Sequence, residues 1–149
     1  MYQHIEYTVE DPVATITLNR PQSLNAWTTE LGDEVKHAVH RATEDPAVVG
    51  IVVTGAGRAF CAGADMKMLT GILAGDAESV LATNAELAVP PLAEDDAVEF
   101  GGNFTYLMAC PKPIVAAING PVAGMAVPFA LCCDIRFMAD DAVLLTAFS

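Results

Sequence analysis

The chain has 149 residues, enough for one compact core, and carries nineteen acidic side chains against seven basic ones. That net charge of −12 excludes nonspecific attraction to nucleic acid or to an anionic membrane surface. Hydrophobic content of 53% and a mean hydropathy of +0.40 are high for a self-contained soluble domain, so some apolar surface is expected to need a partner.

Residues 5–9 and 13–19 read as a hairpin across Glu10-Asp11-Pro12. A helix is expected from about residue 28 to residue 43, with Leu31, Val35, Ala38, Val39 and Ala42 as its apolar stripe and Asp45-Pro46 as its stop. Asp33, His37 and His40 have a spacing that could hold a metal. The stripe decides against it, because it puts the histidines on or near the solvated face. Residues 48–54 then read as a buried parallel strand leading into Gly55-Ala56-Gly57.

After that turn comes Arg58-Ala59-Phe60-Cys61-Ala62-Gly63-Ala64-Asp65-Met66-Lys67, where Ala62, Gly63 and Ala64 leave the backbone bare. Two readings fit: a tight turn in which the small residues serve packing, or main-chain N–H groups aimed at a developing negative charge. Asp65 is read as capping or orienting this loop in preference to moving a proton. Between Leu69 and Cys110, helical patterns are broken by Gly75, Pro90-Pro91 and Gly101-Gly102, with an acidic run Glu94-Asp95-Asp96, as in a surface helix and loop. Residues 113–118 form a second buried-strand run, followed by Asn119-Gly120-Pro121 and by Gly124-Met125-Ala126, which opens an apolar helix over 127–133. The first turn of that helix has unpaired N–H groups, so Met125 or Ala126 could give a second donor to the same anion.

Cys61, Cys110, Cys132 and Cys133 show no C-x-x-C spacing and sit among apolar neighbours, which argues for buried thiols and against a metal site or disulfide framework. Cys61 has no nearby histidine in sequence to activate it as a nucleophile. The chain shows neither an uncharged apolar run of roughly 18 residues nor a signal-like N-terminus, so a soluble, cytoplasmic protein is expected.

Leu18-Asn19-Arg20-Pro21 with Asn25-Ala26, the 58–67 stretch, Pro111-Lys112-Pro113, Ala117-Ile118-Asn119-Gly120-Pro121 and Cys133-Asp134-Ile135-Arg136 together resemble the crotonase superfamily, the enoyl-CoA hydratase/isomerase group, in order and spacing. The resemblance implies an α/β fold, a spiral of repeated ββα units, with residues 1–149 as an acyl-CoA-binding core stopping before a C-terminal helical region. It implies oxyanion-hole N–H donors at Ala64 and Met125, the Met125 side chain being free to wall an acyl pocket. The strand 62–67, with Ala62, Gly63, Asp65, Met66 and Lys67, would lie along CoA; the loop 21–26, with Leu24 and Ala26, would flank its phosphates, although neither Gln22 nor Leu24 is basic. Gly124 completes the substrate-binding set. Lys67, Arg58 and Arg20 would offset the chain's negative field, and the segment before Cys110 would be a mobile wall setting acyl-chain length.

The hydratases' two glutamates would fall at Pro128 and Phe148, neither of which moves a proton. The resemblance therefore favours double-bond isomerisation over hydration, with a carboxylate expected beyond Ser149. A non-catalytic acyl-CoA-binding homologue and an inert scaffold subunit are the alternatives. Acyl-CoA is the expected partner, a homotrimer or hexamer the expected assembly, and no cofactor is implied beyond the CoA of the substrate.

Overall fold

Alternation of apolar residues in successive strands sets the architecture of the chain, which a computed structural model describes over residues 1–90 and 103–146. The acidic run Glu94-Asp95-Asp96, the glycines at 101 and 102, and Phe148 lie outside the described residues. The elements are β1 (Ile5–Glu10), β2 (Val13–Leu18), α1 (Thr29–Glu44), β3 (Gly50–Gly55), α2 (Met66–Leu73), α3 (Ala77–Val80), β4 (Ile114–Ile118), β5 (Val122–Ala123), α4 (Ala126–Leu131), β6 (Ile135–Met138) and β7 (Leu144–Leu145).

The expected hairpin forms: β1 and β2 are antiparallel, with Ile5 opposite Leu18 and Glu10 opposite Val13. From β2 onward the pairing is parallel, giving the order β1-β2-β3-β4-β6. The chain therefore repeats a ββα unit. In the later units the first strand joins this sheet, and the second turns off into a small layer. There Trp27 bridges Ala64, Cys61 bridges Val122, and β5 pairs with β7. The strand expected at 48–54 is β3, but only one of its faces is fully buried; the other is half covered.

Helix α1 begins at Thr28, whose hydroxyl accepts the Leu31 N–H at 3.2 Å, and its stripe Leu31, Val35, Ala38, Val39 and Ala42 is buried on the sheet. The histidines are less solvated than expected. Both are half-buried, and His37 Nδ1 meets the Tyr2 hydroxyl at 2.7 Å. Glu34, unremarked in the sequence, is 5% exposed and accepts the Gln3, His4 and Ile5 N–H groups at 2.8, 2.7 and 3.1 Å. Such a triple anchor satisfies three donors and fixes the entry of the chain into β1.

Beneath the small layer lies an aromatic cluster. The ring centroid of Phe129, from α4, is 4.8 Å from that of Trp27, 5.5 Å from Phe104 and 6.2 Å from Phe60. Trp27 and Phe60 flank the 61–64 segment, so this cluster sets where that segment sits relative to α4. Against the expectation of four buried thiols, Cys61 and Cys133 are buried and Cys110 and Cys132 half-buried; all four are free.

Candidate active site

The two strand exits singled out in the sequence meet at the C-terminal ends of β3 and β4. Buried Asn25 fastens the first: its amide nitrogen donates to Ala56 O and Ala59 O, both at 2.9 Å, while its oxygen accepts the Arg20 N–H. Asn119 holds the same turn from the other side, accepting the Gly55 N–H at 3.1 Å and donating to Gly57 O at 2.9 Å. The asparagines visible in the sequence only as motif letters thus lock the loop that precedes Ala62, Gly63 and Ala64.

Pairing then determines which backbone groups of that loop remain open. Trp27 donates to Gly63 O at 2.7 Å and accepts from Asp65 N at 2.8 Å. In a parallel ladder this alternation turns the N–H of the intervening residue, Ala64, to the opposite side. Gly63 has a φ of 94°, and a Cβ there would sit 2.8 Å from Ala123 O and 3.6 Å from the Gly124 Cα. The two exits are therefore in backbone contact at a point where only glycine fits. Met125 follows Gly124 in helical conformation as the N-cap of α4. Among the described residues, neither the Ala64 nor the Met125 N–H has an acceptor.

An open cleft of about 420 Å³ runs beside Ala64, walled by Ser23, Ala26, Ala62, Met66, Lys67 and the Arg20–Asp65 pair. One sequence expectation changes here, and two other residues are placed. Met66 and Lys67 are not in a strand: they form the first turn of α2, because Asp65 Oδ1 accepts the Lys67 N–H at 2.9 Å and caps that helix. Leu24 stands outside the cleft wall, has a φ of 52° and contributes its carbonyl to Ala62 N at 3.0 Å. Arg58 is exposed and also absent from that wall, whereas Arg20 and Lys67 are in it. Burial alone would raise the Asp65 pKa; the Lys67 N–H, the Arg20 hydrogen bond and the two positive charges outweigh it and hold the carboxyl below its ordinary value. Asp65 is thus held ionised as the cap of α2.

On the other side, the Met125 side chain lines a second cavity of about 350 Å³ with Trp27, Met68, Leu81 and Tyr106. Asp33 and Lys36 of α1 reach the same cavity, a role the sequence did not suggest because their only local signal is a three-residue spacing on the polar side of a helix. Pro128 is exposed, in the first turn of α4. Cys61, behind Ala62, is buried, which pushes its thiol up to about 11. No group of three or more metal-ligating side chains occurs among the described residues, and no helix there is long and apolar enough to cross a membrane.

Residues 8–149 match the family described as Enoyl-CoA hydratase/isomerase. Among curated relatives, the chain is 31% identical over 142 residues to a crotonyl-CoA hydratase of Syntrophomonas wolfei, covering 95% of this chain and 48% of that protein. It is 33% identical over 149 residues to a 1,2-epoxyphenylacetyl-CoA isomerase of Escherichia coli K12, covering 100% of this chain and 52% of that one. The chain spans about half the length of the curated relatives it matches. The crystal structure of an enoyl-CoA hydratase/isomerase from Xanthobacter autotrophicus Py2 aligns with a TM-score of 0.72 at 32% identity, over 97% of this chain and 49% of that chain. With the matched segment running through both strand exits and the ββα spiral reproduced in a solved relative, this chain belongs to the enoyl-CoA hydratase/isomerase family and has the α/β architecture of the crotonase fold.

Proposed function

We propose that this chain holds the thioester of an acyl-CoA so that the N–H groups of Ala64 and Met125 stabilise negative charge on its carbonyl oxygen as an enolate forms. The observation that carries this reading is the pair of N–H groups, without acceptors among the described residues, on strand exits that touch through Gly63 and Gly124. The cleft past Ala26, Ala62 and Lys67 supports placing the CoA there, with Arg20 and Lys67 as local cations in a chain of net charge −12. Met125 lining the second cavity supports placing the acyl group against it.

Within this class, double-bond isomerisation is favoured over hydration. Water addition needs acid and base groups across the double bond, and Pro128 stands, exposed, where the resemblance places one of them. The same proline favours a second reading, a homologue that binds acyl-CoA without transforming it.

Infrared difference spectroscopy with acyl-CoA labelled at the thioester carbonyl tests the oxyanion hole: the C=O band should move to lower frequency on binding, and an unmoved band would overturn the assignment. Ala62→Trp tests the CoA cleft. It fills an exposed position in the cleft wall, whereas any side chain at Gly63 would strike Ala123 O. Affinity unchanged by Ala62→Trp would remove CoA from this cleft. Turnover of 2-enoyl-CoA and 3-enoyl-CoA separates isomerase, hydratase and binder.

A further inference from the structure

The cavity beside Met125 has a hydrocarbon wall on only part of its surface. Thr29, Asp33, Lys36, Thr83 and Asn103 also line it. Hydrogen-bond accounting shows which of these still have capacity to spare. Thr29 donates its hydroxyl to Val80 O at 2.8 Å, and Asp33 Oδ2 accepts the Asn84 N–H at 2.6 Å. Lys36 is different. Its ammonium lies 5.5 Å from the centroid of the Tyr106 ring, and among the described residues it has neither a carboxylate within ion-pair distance nor a hydrogen-bond acceptor. Even Asp33, three residues earlier on α1, forms no ion pair with it. Of the two charged side chains in this wall, the one without a hydrogen-bonded partner among the described residues is therefore the cation; the second oxygen of Asp33 and the buried Tyr106 hydroxyl also remain open.

A plain hydrocarbon chain entering here would displace water from Lys36, Thr83 and Asn103 and give nothing back for it. A chain ending in a carboxylate would supply the acceptor that Lys36 lacks, in a charge-assisted hydrogen bond over an aromatic face. We infer that the acyl group taken by this site ends in a carboxylate bound by Lys36, so that the preferred ligands are CoA half-thioesters of dicarboxylic acids. This rests on the acyl-CoA reading above. It adds the polarity of the acyl end, set by a residue of α1 remote in sequence from both strand exits. Asp33 sharpens the requirement: a carboxylate placed away from Lys36 would meet a like charge with no compensation.

The test compares two saturated thioesters with five-carbon acyl chains, glutaryl-CoA and valeryl-CoA, by calorimetric titration of the protein and of Lys36→Met. Glutaryl-CoA should bind about tenfold more tightly than valeryl-CoA, in keeping with one hydrogen bond to a charged group. Lys36→Met should abolish that advantage by weakening glutaryl-CoA binding, and Lys36→Arg should retain it. Lys36 is exposed on α1, so folding of each variant is checked by circular dichroism, with Lys36→Gln as the substitute if the methionine variant misfolds. Equal affinities for the two thioesters, or an advantage that survives in the folded neutral variant, would overturn the inference while leaving the acyl-CoA reading intact. Binding of neither thioester would overturn the acyl-CoA reading, and this inference with it.

Discussion

Arg20 Nη2 and Asp65 Oδ2 form an ion pair at 2.9 Å that joins the end of the β2 loop to the first turn of α2. Arg20 Nη1 also donates to Ala26 O, so one guanidinium holds both lips of the cleft beside Ala64. A single carboxylate thus serves as helix cap and as cleft brace.

Replacing Asp65 with alanine should lower stability by about 1 kcal/mol through the lost cap. The pH dependence has a definite sign. Because the folded pKa is below the ordinary 3.8, the stabilisation is present above that value and is lost as pH falls through the folded pKa. Thermal melts over a pH series should show the Asp65→Asn variant losing less stability than the native chain in that acid window. Parallel curves would assign the acid loss to other groups.

Cysteine reactivity gives an independent check on the core. Burial pushes Cys61 up to about 11 and Cys133 up to about 12, so at pH 8 only about one Cys61 thiol in a thousand is ionised. Iodoacetamide at that pH should label Cys110 and Cys132, the half-buried thiols, well before the other two, and all four after denaturation. Peptide mass mapping that found Cys61 labelled first in the folded chain would contradict its placement behind Ala62.

How much of this was readable beforehand follows from the range of each signal. Hairpin, α1 and the strands β3 and β4 announce themselves in local sequence pattern, and the bare backbone at Ala62, Gly63 and Ala64 in three consecutive small residues. The helical start at Met66 was hidden because its cause, the Asp65 cap, operates only once Trp27 has paired with the segment and Arg20 has fixed the carboxylate. Lys36 and Tyr106 were illegible as partners: they are 70 positions apart, and nothing in the spacing of either says that they share a cavity. Glu34 breaks the polar rule of its helix for a reason located in residues 3–5, outside any helical window.

The edge of the main sheet predicts association. Every residue of β6 is exposed, with Ile135 at 47% and Phe137 at 66%, and Leu131, Leu144 and Leu145 are exposed as well. An apolar strand edge of this kind recruits another chain. Light scattering should find the 149-residue chain larger than a monomer, and Phe137→Lys with Leu144→Lys should reduce its size. A monodisperse native monomer would show that the net charge of −12 suffices to keep these edges apart.

Pro128 should prove replaceable. It is the third residue of α4, where a missing N–H costs no helical hydrogen bond, and its ring is exposed. Pro128→Ala is expected to change stability by less than about 0.5 kcal/mol. A loss of several times that amount in urea denaturation would mean that the ring fixes the Gly124 turn and with it the Met125 N–H.

Made alone, the 149-residue chain should turn over neither 2-enoyl-CoA nor 3-enoyl-CoA at a rate useful to a cell. The two proposed N–H donors would stabilise an enolate, but enolate formation also requires a proton carrier, and general acid/base groups contribute about 10²- to 10⁴-fold. Of the carboxylates near the donors among the described residues, Asp65 is committed to the α2 cap and to Arg20. Asp33, in the Met125 cavity, already takes the Asn84 N–H on one oxygen. Turnover is measured on the purified chain alongside Asp33→Asn and Asp65→Asn. Activity abolished by Asp33→Asn would assign the proton to the cavity carboxylate, and activity abolished by Asp65→Asn would assign it to the cleft. Inactivity of a chain that still shifts the thioester carbonyl band would separate the electrostatic half of the chemistry from the proton-moving half.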